Sequence, residues 1–181
     1  VRRMQTELTA PHLWSCDDPY LYRAVTTVVR NGEAVDTYET PFGFRYYEFD
    51  PETGMKQNGK PVVIKGVCMH ADFGLTGKAV PDNIQFHKIA VLKEMGANGL
   101  RCSHYPHGEA TMQALDEAGF ITMAETRWFE STKEGMEQLE MLIKRDRNHP
   151  CILFWSVGNE EPKFITESGR RIAKTMISFV K

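Results

Sequence analysis

After residue 60 a short apolar run followed by an amphipathic segment recurs four times, and this rhythm constrains the fold more than any other feature of the chain. Residues 62–66 (VVIKG) read as the first strand, 99–102 as the second, 120–124 as the third and 151–156 as the fourth. In the last of these, Ile152, Leu153, Phe154 and Trp155 show no polar alternation, as expected of a strand buried on both faces. Helical patterns lie between the strands. Pro81-Asp82 opens the first, which runs to Met95 with Ile84, Val91, Leu92 and Met95 toward one side and Gly96 as its stop. Residues 109–118 form the second, closed by Gly119. Ser131-Thr132 caps a third that runs to about residue 147, with Met136, Leu139, Leu142 and Ile143 on one stripe. A last helix turns Ile165, Ile172, Met176 and Val180 inward.

Strand–helix units in this order dictate a parallel sheet with right-handed crossovers. Half of a closed (β/α)8 TIM barrel and part of an open doubly wound sheet both satisfy that rule. The dinucleotide-binding version of the open sheet wants GxGxxG after its first strand. The residues there are Gly66-Val67-Cys68-Met69-His70, which do not supply it.

The segment before residue 60 has a different rhythm. Residues 21–30 are rich in β-branched side chains and end in Asn31-Gly32, a strong hairpin signal, and residues 33–40 return as the partner strand. Pro11, Pro19, Pro41 and Pro51 argue against helices. Asn58-Gly59 marks another turn, so a short hairpin is expected between 49–50 and 62–64. These strands are too few to close a core of their own and read as part of a β-sandwich. The expected division is residues 1–50 for the sandwich part and 51–181 for the barrel part. The chain begins in what reads as mid-strand and stops in what reads as mid-helix.

Charge excludes some functions. The 181 residues carry 22 basic and 24 acidic side chains, a net charge of -2, which offers no basic excess to attract nucleic acid. No apolar stretch approaches the roughly 18 residues of a membrane span, and the first residues lack an apolar signal core. Cys16, Cys68, Cys102 and Cys151 have no zinc-knuckle or CxxC spacing and read as reduced structural thiols. That leans toward a cytoplasmic setting without establishing one.

In a (β/α)8 barrel the chemistry gathers at the C-terminal ends of the strands. Here those ends carry His70 and Asp72, then Arg101, Ser103, His104 and Tyr105, then Glu125, Arg127 and Trp128, then Asn159 and Glu160. Each has a plainer reading. Glu160-Glu161-Pro162 suits the start of a helix, where carboxylates are favourable. A single His such as His70 carries no motif, and Arg101 could simply pair with Glu125. Trp128 is either a core residue or a platform for a sugar ring. Asp146 and His149 lie at the start of the fourth strand, where a stability role is expected. The convergence on one end is harder to dismiss than any single residue. Amide and imidazole groups make directional hydrogen bonds to hydroxyls. A carboxyl drawn partly out of water holds its proton to higher pH and can deliver it to a glycosidic oxygen.

The stretches Asn58-Gly59-Lys60-Pro61 with Lys65-Gly66-Val67, NGLRCSHYP at 98–106, RDRNHP at 145–150 and WSVGNE at 155–160 resemble glycoside hydrolase family 2 in order and spacing. WSCDDPYLY at 14–22 is similar to the family's immunoglobulin-like domain. The resemblance implies a retaining glycosidase acting on terminal β-galactosides, with β-glucuronidase, β-mannosidase or a non-catalytic sugar-binding remnant as alternatives. It implies Glu160 as general acid/base and Asn159 as the amide that binds the sugar 2-hydroxyl. His70 and His104 would line the sugar subsite, and Arg101 would lie beneath the catalytic carboxylates. The nucleophile it implies, a Glu at the end of the seventh barrel strand, has no counterpart within residues 1–181; Glu125 is the internal stand-in, without support from the resemblance.

Two departures stand out. Cys68-Met69 replaces the Asn-Arg common before the histidine matched by His70. The Glu-x-His pair that helps bind magnesium in the well-studied β-galactosidase type is missing from residues 125–131, so no cofactor is assigned with certainty and magnesium is left open, with that departure against it. A half barrel leaves open strand edges, and such a chain is expected to self-associate.

Overall fold

The computed structural model describes residues 4–181. β1 (Tyr22–Arg30) and β2 (Glu33–Phe42) form the expected antiparallel ribbon. Asn31 and Gly32 sit at φ 53° and 86° in the turn, a pair of left-handed residues that Asn-Gly adopts at least cost. Most ribbon side chains are exposed, among them Val25, Val28, Val29, Val35 and Tyr38.

β3 (Tyr47–Asp50), β4 (Gly54–Gln57) and β5 (Lys60–Pro61) make a small antiparallel meander. The expected hairpin between 49–50 and 62–64 is therefore replaced: Phe49 pairs with Met55, and the Asn58-Gly59 turn joins β4 to β5. The missed signal is Asp50, whose carboxylate accepts the N–H groups of Glu52 and Thr53 at 2.8 and 2.7 Å and reverses the chain early.

The rest alternates strand and helix: β6 (Gly66–Met69), α1 (Asp82–Glu94), β7 (Gly99–Cys102), α2 (Glu109–Ala118), β8 (Ile121–Glu125), α3 (Lys133–Asp146), β9 (Ile152–Ser156) and α4 (Glu167–Val180). The four strands pair in parallel in the order β6-β7-β8-β9, the arrangement of the first half of a (β/α)8 barrel. The first strand starts later than residues 62–66 suggested, and Val63 is 76% exposed. Asn98 explains the shift. Its side chain accepts from Lys65 N at 2.6 Å and donates to Val63 O at 3.0 Å, so the lead-in is held by an amide and sheet pairing begins at Gly66.

The core lies between this sheet and its helices. Leu100, Cys102, Ala124 and Ile152 pack from the strands against Ile89, Met112, Leu115 and Phe120. The opposite face shows a row across the sheet in register: Cys68, Arg101, Met123 and Phe154. Phe154 is 38% exposed and leans on Phe49, so β9 is not buried on both faces as its apolar run implied.

Two helix stripes also differ. On α1 the buried residues are Gln85 and Ile89, with Phe86 and Leu92 against the core, while Val91 and Met95 are exposed. Among the described residues β6 is an outer strand of the sheet. Ile165 is exposed because Pro162–Ile165 forms a 3-10 turn and α4 begins only after Thr166, whose hydroxyl accepts from Gly169 N at 3.1 Å. On α3 the stripe holds, with Leu139 and Leu142 buried and the Thr132 hydroxyl capping Gly135 N.

The N-terminal segment is pinned to the start of β9. The buried Trp14 indole donates to Asp116 O at 2.9 Å, and Arg45 donates to Pro150 O and Ile152 O at 2.8 and 2.5 Å. Asp116 accepts from Cys151 N and bonds the His149 ring at 2.6 Å, which places His149 in a structural pair at that end. The cysteines are free; Cys16, Cys102 and Cys151 are buried and Cys68 is exposed, unlike the structural thiol expected there. Burial pushes the Cys16 thiol up to about 11 and Cys102 up to about 12. Among the described residues no helix is long and apolar enough to cross a membrane.

Candidate active site

The polar group at the C-terminal ends of β6–β9 is built around Glu125, the last residue of β8 and 0% exposed. Arg101, projecting from β7, donates to its Oε2 from both Nε at 3.0 Å and Nη2 at 2.8 Å. Ser156, the last residue of β9, donates its hydroxyl to the same oxygen at 2.8 Å. The His104 ring meets Oε1 through Nδ1 at 3.0 Å. A buried carboxylate with four donor contacts, three of them on Oε2, acts as an anchor rather than a reagent. The same bonding holds the Arg101 guanidinium more firmly charged.

Arg101 carries the anchor outward. Its Nη2 also donates to Asn159 Oδ1 at 2.6 Å. Because a guanidinium only donates, the Asn159 oxygen must face it, and the Asn159 NH2 is left to point away as a donor. Beyond β7 the chain turns at Ser103-His104, a cis peptide, and presents His104 and Tyr105. The His70 and His104 rings meet edge to face at 5.1 Å between centroids. Together His70, His104, Tyr105, Arg127, Asn159 and Glu161 line a cleft of about 280 Å³.

Of the residues expected from sequence, the structure thus brings together His70, Arg101, His104 and Asn159. Glu160 follows Asn159 but is exposed and lines a neighbouring cleft of about 310 Å³ with Phe129, Ser156, Gly158, Glu161 and Phe164. Its φ of 49° is left-handed, a conformation that costs a residue with a side chain roughly 1–2 kcal/mol. Strain of this kind collects where side-chain placement matters more than stability. Trp128 is 46% exposed, with the Arg127 guanidinium 4.9 Å from its ring centre, and borders neither cleft.

Sequence reasoning gave no role to Ser156, placed Tyr105 among the strand-end polar residues without a function, and read Glu161 only as part of a helix start. Ser156 ends an apolar strand and Tyr105 follows His104 directly, so position at a strand end was the available signal. Glu161 was masked by its plausibility as a helix-capping acid.

A magnesium ion does not fit the donors at the end of β8. The Glu125 oxygens are already bonded to a guanidinium, an imidazole and a hydroxyl, and Arg127 stands next in the chain. Among the described residues no group of three His, Cys, Asp or Glu could hold a metal ion.

Known proteins resemble this chain in sequence and in fold. The profile of glycosyl hydrolases family 2, TIM barrel domain, matches residues 52–132 and 128–181, and that of glycosyl hydrolases family 2 matches residues 1–45. A beta-galactosidase of Bacteroides ovatus is 41% identical over 174 residues, 88% of this chain and 20% of that protein. A beta-glucuronidase of Bacteroides fragilis is 33% identical over 165 residues, 83% of this chain and 24% of that protein. The crystal structure of a glycosyl hydrolase family 2 member from Bacteroides cellulosilyticus superposes with a TM-score of 0.85 at 35% identity, covering 94% of this chain and 24% of that one. The chain therefore spans about a fifth to a quarter of the length of these relatives.

Proposed function

Since the chain belongs to glycosyl hydrolases family 2, we propose that the protein carrying it is a retaining glycosidase that removes terminal β-galactosyl groups, with Glu160 as acid/base. The observation that carries this reading is the Glu125–Arg101–Asn159 chain of bonds. It fixes an amide donor at a strand end, directly before a carboxylate held in a strained turn.

In this reading a sugar ring lies over His70, His104 and Asn159. The Asn159 NH2 donates to the 2-hydroxyl, a contact that strengthens as positive charge develops at the anomeric carbon. The Glu160 carboxyl gives its proton to the glycosidic oxygen as the bond to the anomeric carbon breaks. As that bond breaks, a second carboxylate bonds the anomeric carbon from the opposite face; the Glu160 carboxylate then takes a proton from water, whose oxygen bonds the same carbon and displaces the second carboxylate, which regenerates the acid. The second carboxylate this chemistry needs, about 5–5.5 Å from the first, is not proposed among residues 4–181. Glu125 is a poor candidate because it is fully buried and saturated with donors. The division into a sandwich part at 1–50 and a barrel part at 51–181 is proposed with it, although antiparallel pairing gives way to parallel only between β5 and β6.

Galactoside specificity is supported by the 41% identical beta-galactosidase; the beta-glucuronidase at 33% keeps a uronate substrate as the second reading. The test is Glu160→Gln in the protein carrying this chain. Hydrolysis of an alkyl β-galactoside should fall on the order of 10²–10⁴-fold. Bond cleavage in an aryl galactoside, whose leaving group needs no proton, should fall far less. Equal losses on both substrates, or none, would rule Glu160 out as the acid, and preference for a β-glucuronide would select the second reading.

A further inference from the structure

The two imidazoles of the cleft are bonded from opposite sides. His104 Nδ1 lies 3.0 Å from Glu125 Oε1 and 3.2 Å from Arg101 Nη2. Nη2 has two hydrogens, and both are used, one on Glu125 Oε2 and one on Asn159 Oδ1. Neither is left for the ring, while the salt-bridged carboxylate can only accept. His104 must therefore carry a proton on Nδ1 and donate it to Glu125, and a ring with that single proton offers Nε2 as an acceptor.

At His70 the partner is a phenol. Tyr105 Oη accepts the Ala71 N–H at 3.3 Å and lies 3.4 Å from His70 Nδ1. The hydroxyl still has its own hydrogen to place, and Nδ1 of His70 is the acceptor beside it. The Lys78 ammonium sits 3.6 Å from the Tyr105 ring centre, and a cation over the ring face makes the hydroxyl a stronger donor. With Nδ1 accepting, His70 carries its proton on Nε2.

We propose that Glu125 and Tyr105 are positioning residues that hold His104 and His70 in opposite tautomers, so that two perpendicular rings 5.1 Å apart offer one acceptor and one donor to the cleft. Such a pair matches two hydroxyls of one sugar ring, one giving its hydrogen to His104 and the other accepting from His70. An acceptor-only group, such as a carboxylate or a fluorine in place of a hydroxyl, cannot satisfy the His104 side. The site thereby favours a neutral glycoside face at this point.

The significance of the pair rests on the sugar-subsite reading above, but its test does not require sugar. The chain has 6 histidines, few enough for each ring to be assigned by single substitution in a 15N-histidine-labelled sample at alkaline pH. Long-range 15N–1H correlation should show His104 protonated on Nδ1 and His70 on Nε2. In Tyr105→Phe, His70 should drift toward a mixture of tautomers while His104 stays unchanged. His104 protonated on Nε2, or a His70 signal indifferent to Tyr105→Phe, overturns the proposal. If Tyr105→Phe does not fold, the wild-type spectrum still decides, because the same tautomer in both rings refutes it. A protein that failed to cleave galactosides yet kept opposite tautomers would defeat the proposed function and leave the positioning intact.

Discussion

Arg101 places two of its nitrogens on a single oxygen of Glu125, Nε at 3.0 Å and Nη2 at 2.8 Å, and leaves the other oxygen to His104. This one-sided fork is what lets one buried carboxylate orient groups from three strands. Arg101→Lys keeps the charge but loses the fork. It should lower kcat/KM of the protein carrying this chain about 10–100-fold, or roughly 1.4–2.7 kcal/mol, with folding largely retained. Arg101→Ala strands Glu125 as an unpaired buried charge and should cost about 3–5 kcal/mol of stability in urea unfolding. An Arg101→Lys protein with unchanged kcat/KM would show that the fork positions nothing.

Two histidines, His107 buried and His149 partly buried, predict a stability optimum near neutral pH. Burial lowers His107 from 6.5 to about 4, so it is neutral when folded and protonates on unfolding. Its contribution is complete above pH 6.5 and is lost as pH falls from there toward about 4, up to about 3 kcal/mol for a residue 1% exposed. His149 behaves in the opposite way. Burial opposes its charge, but the bond to Asp116 prevails and raises it above 6.5. Its contribution is present below 6.5 and is lost as pH rises through the raised value. Urea unfolding between pH 4 and 8 should show both limbs. His107→Gln should flatten the acid limb and His149→Gln the alkaline one; an acid limb untouched by His107→Gln contradicts the assignment.

Gly119 ends α2 at φ 74°, and a β-carbon there would lie 2.5 Å from Cys16 O, a backbone atom that cannot easily move. Gly119→Ala combines left-handed strain with overpacking and should cost about 2–4 kcal/mol. Gly32→Ala, with open space around it, should cost only the strain. Equal losses at the two positions in thermal unfolding would refute the role given to the Cys16 contact.

The edges of the parallel sheet predict self-association. β6 and β9 are its outer strands, and an open apolar groove beside β6 is lined by Val67, Met69, Phe73, Val91 and Leu92. Sedimentation velocity on the chain should show dimers or larger species that disperse in mild denaturant. A stable monomer at high concentration would be the contrary result.

The chain order of strands and helices, the Asn31-Gly32 hairpin and the stripe on α3 were legible in the residues themselves, because turn chemistry and hydrophobic period act within a few positions. Once the strands were placed, the position of His70, Arg101, His104 and Asn159 at their C-terminal ends was legible as well. What only the tertiary structure decided is which of these touch. The start of β6 was set by Asn98, 33 residues away from Lys65. Glu161 enters the cleft with the histidines while Glu160 turns beside it, because the backbone at Glu160 is left-handed. The role of Glu125 as a shared anchor needed three strands in register. Local pattern depends on neighbours in sequence; hydrogen-bond partnership depends on neighbours in space, and only the folded sheet brings those together.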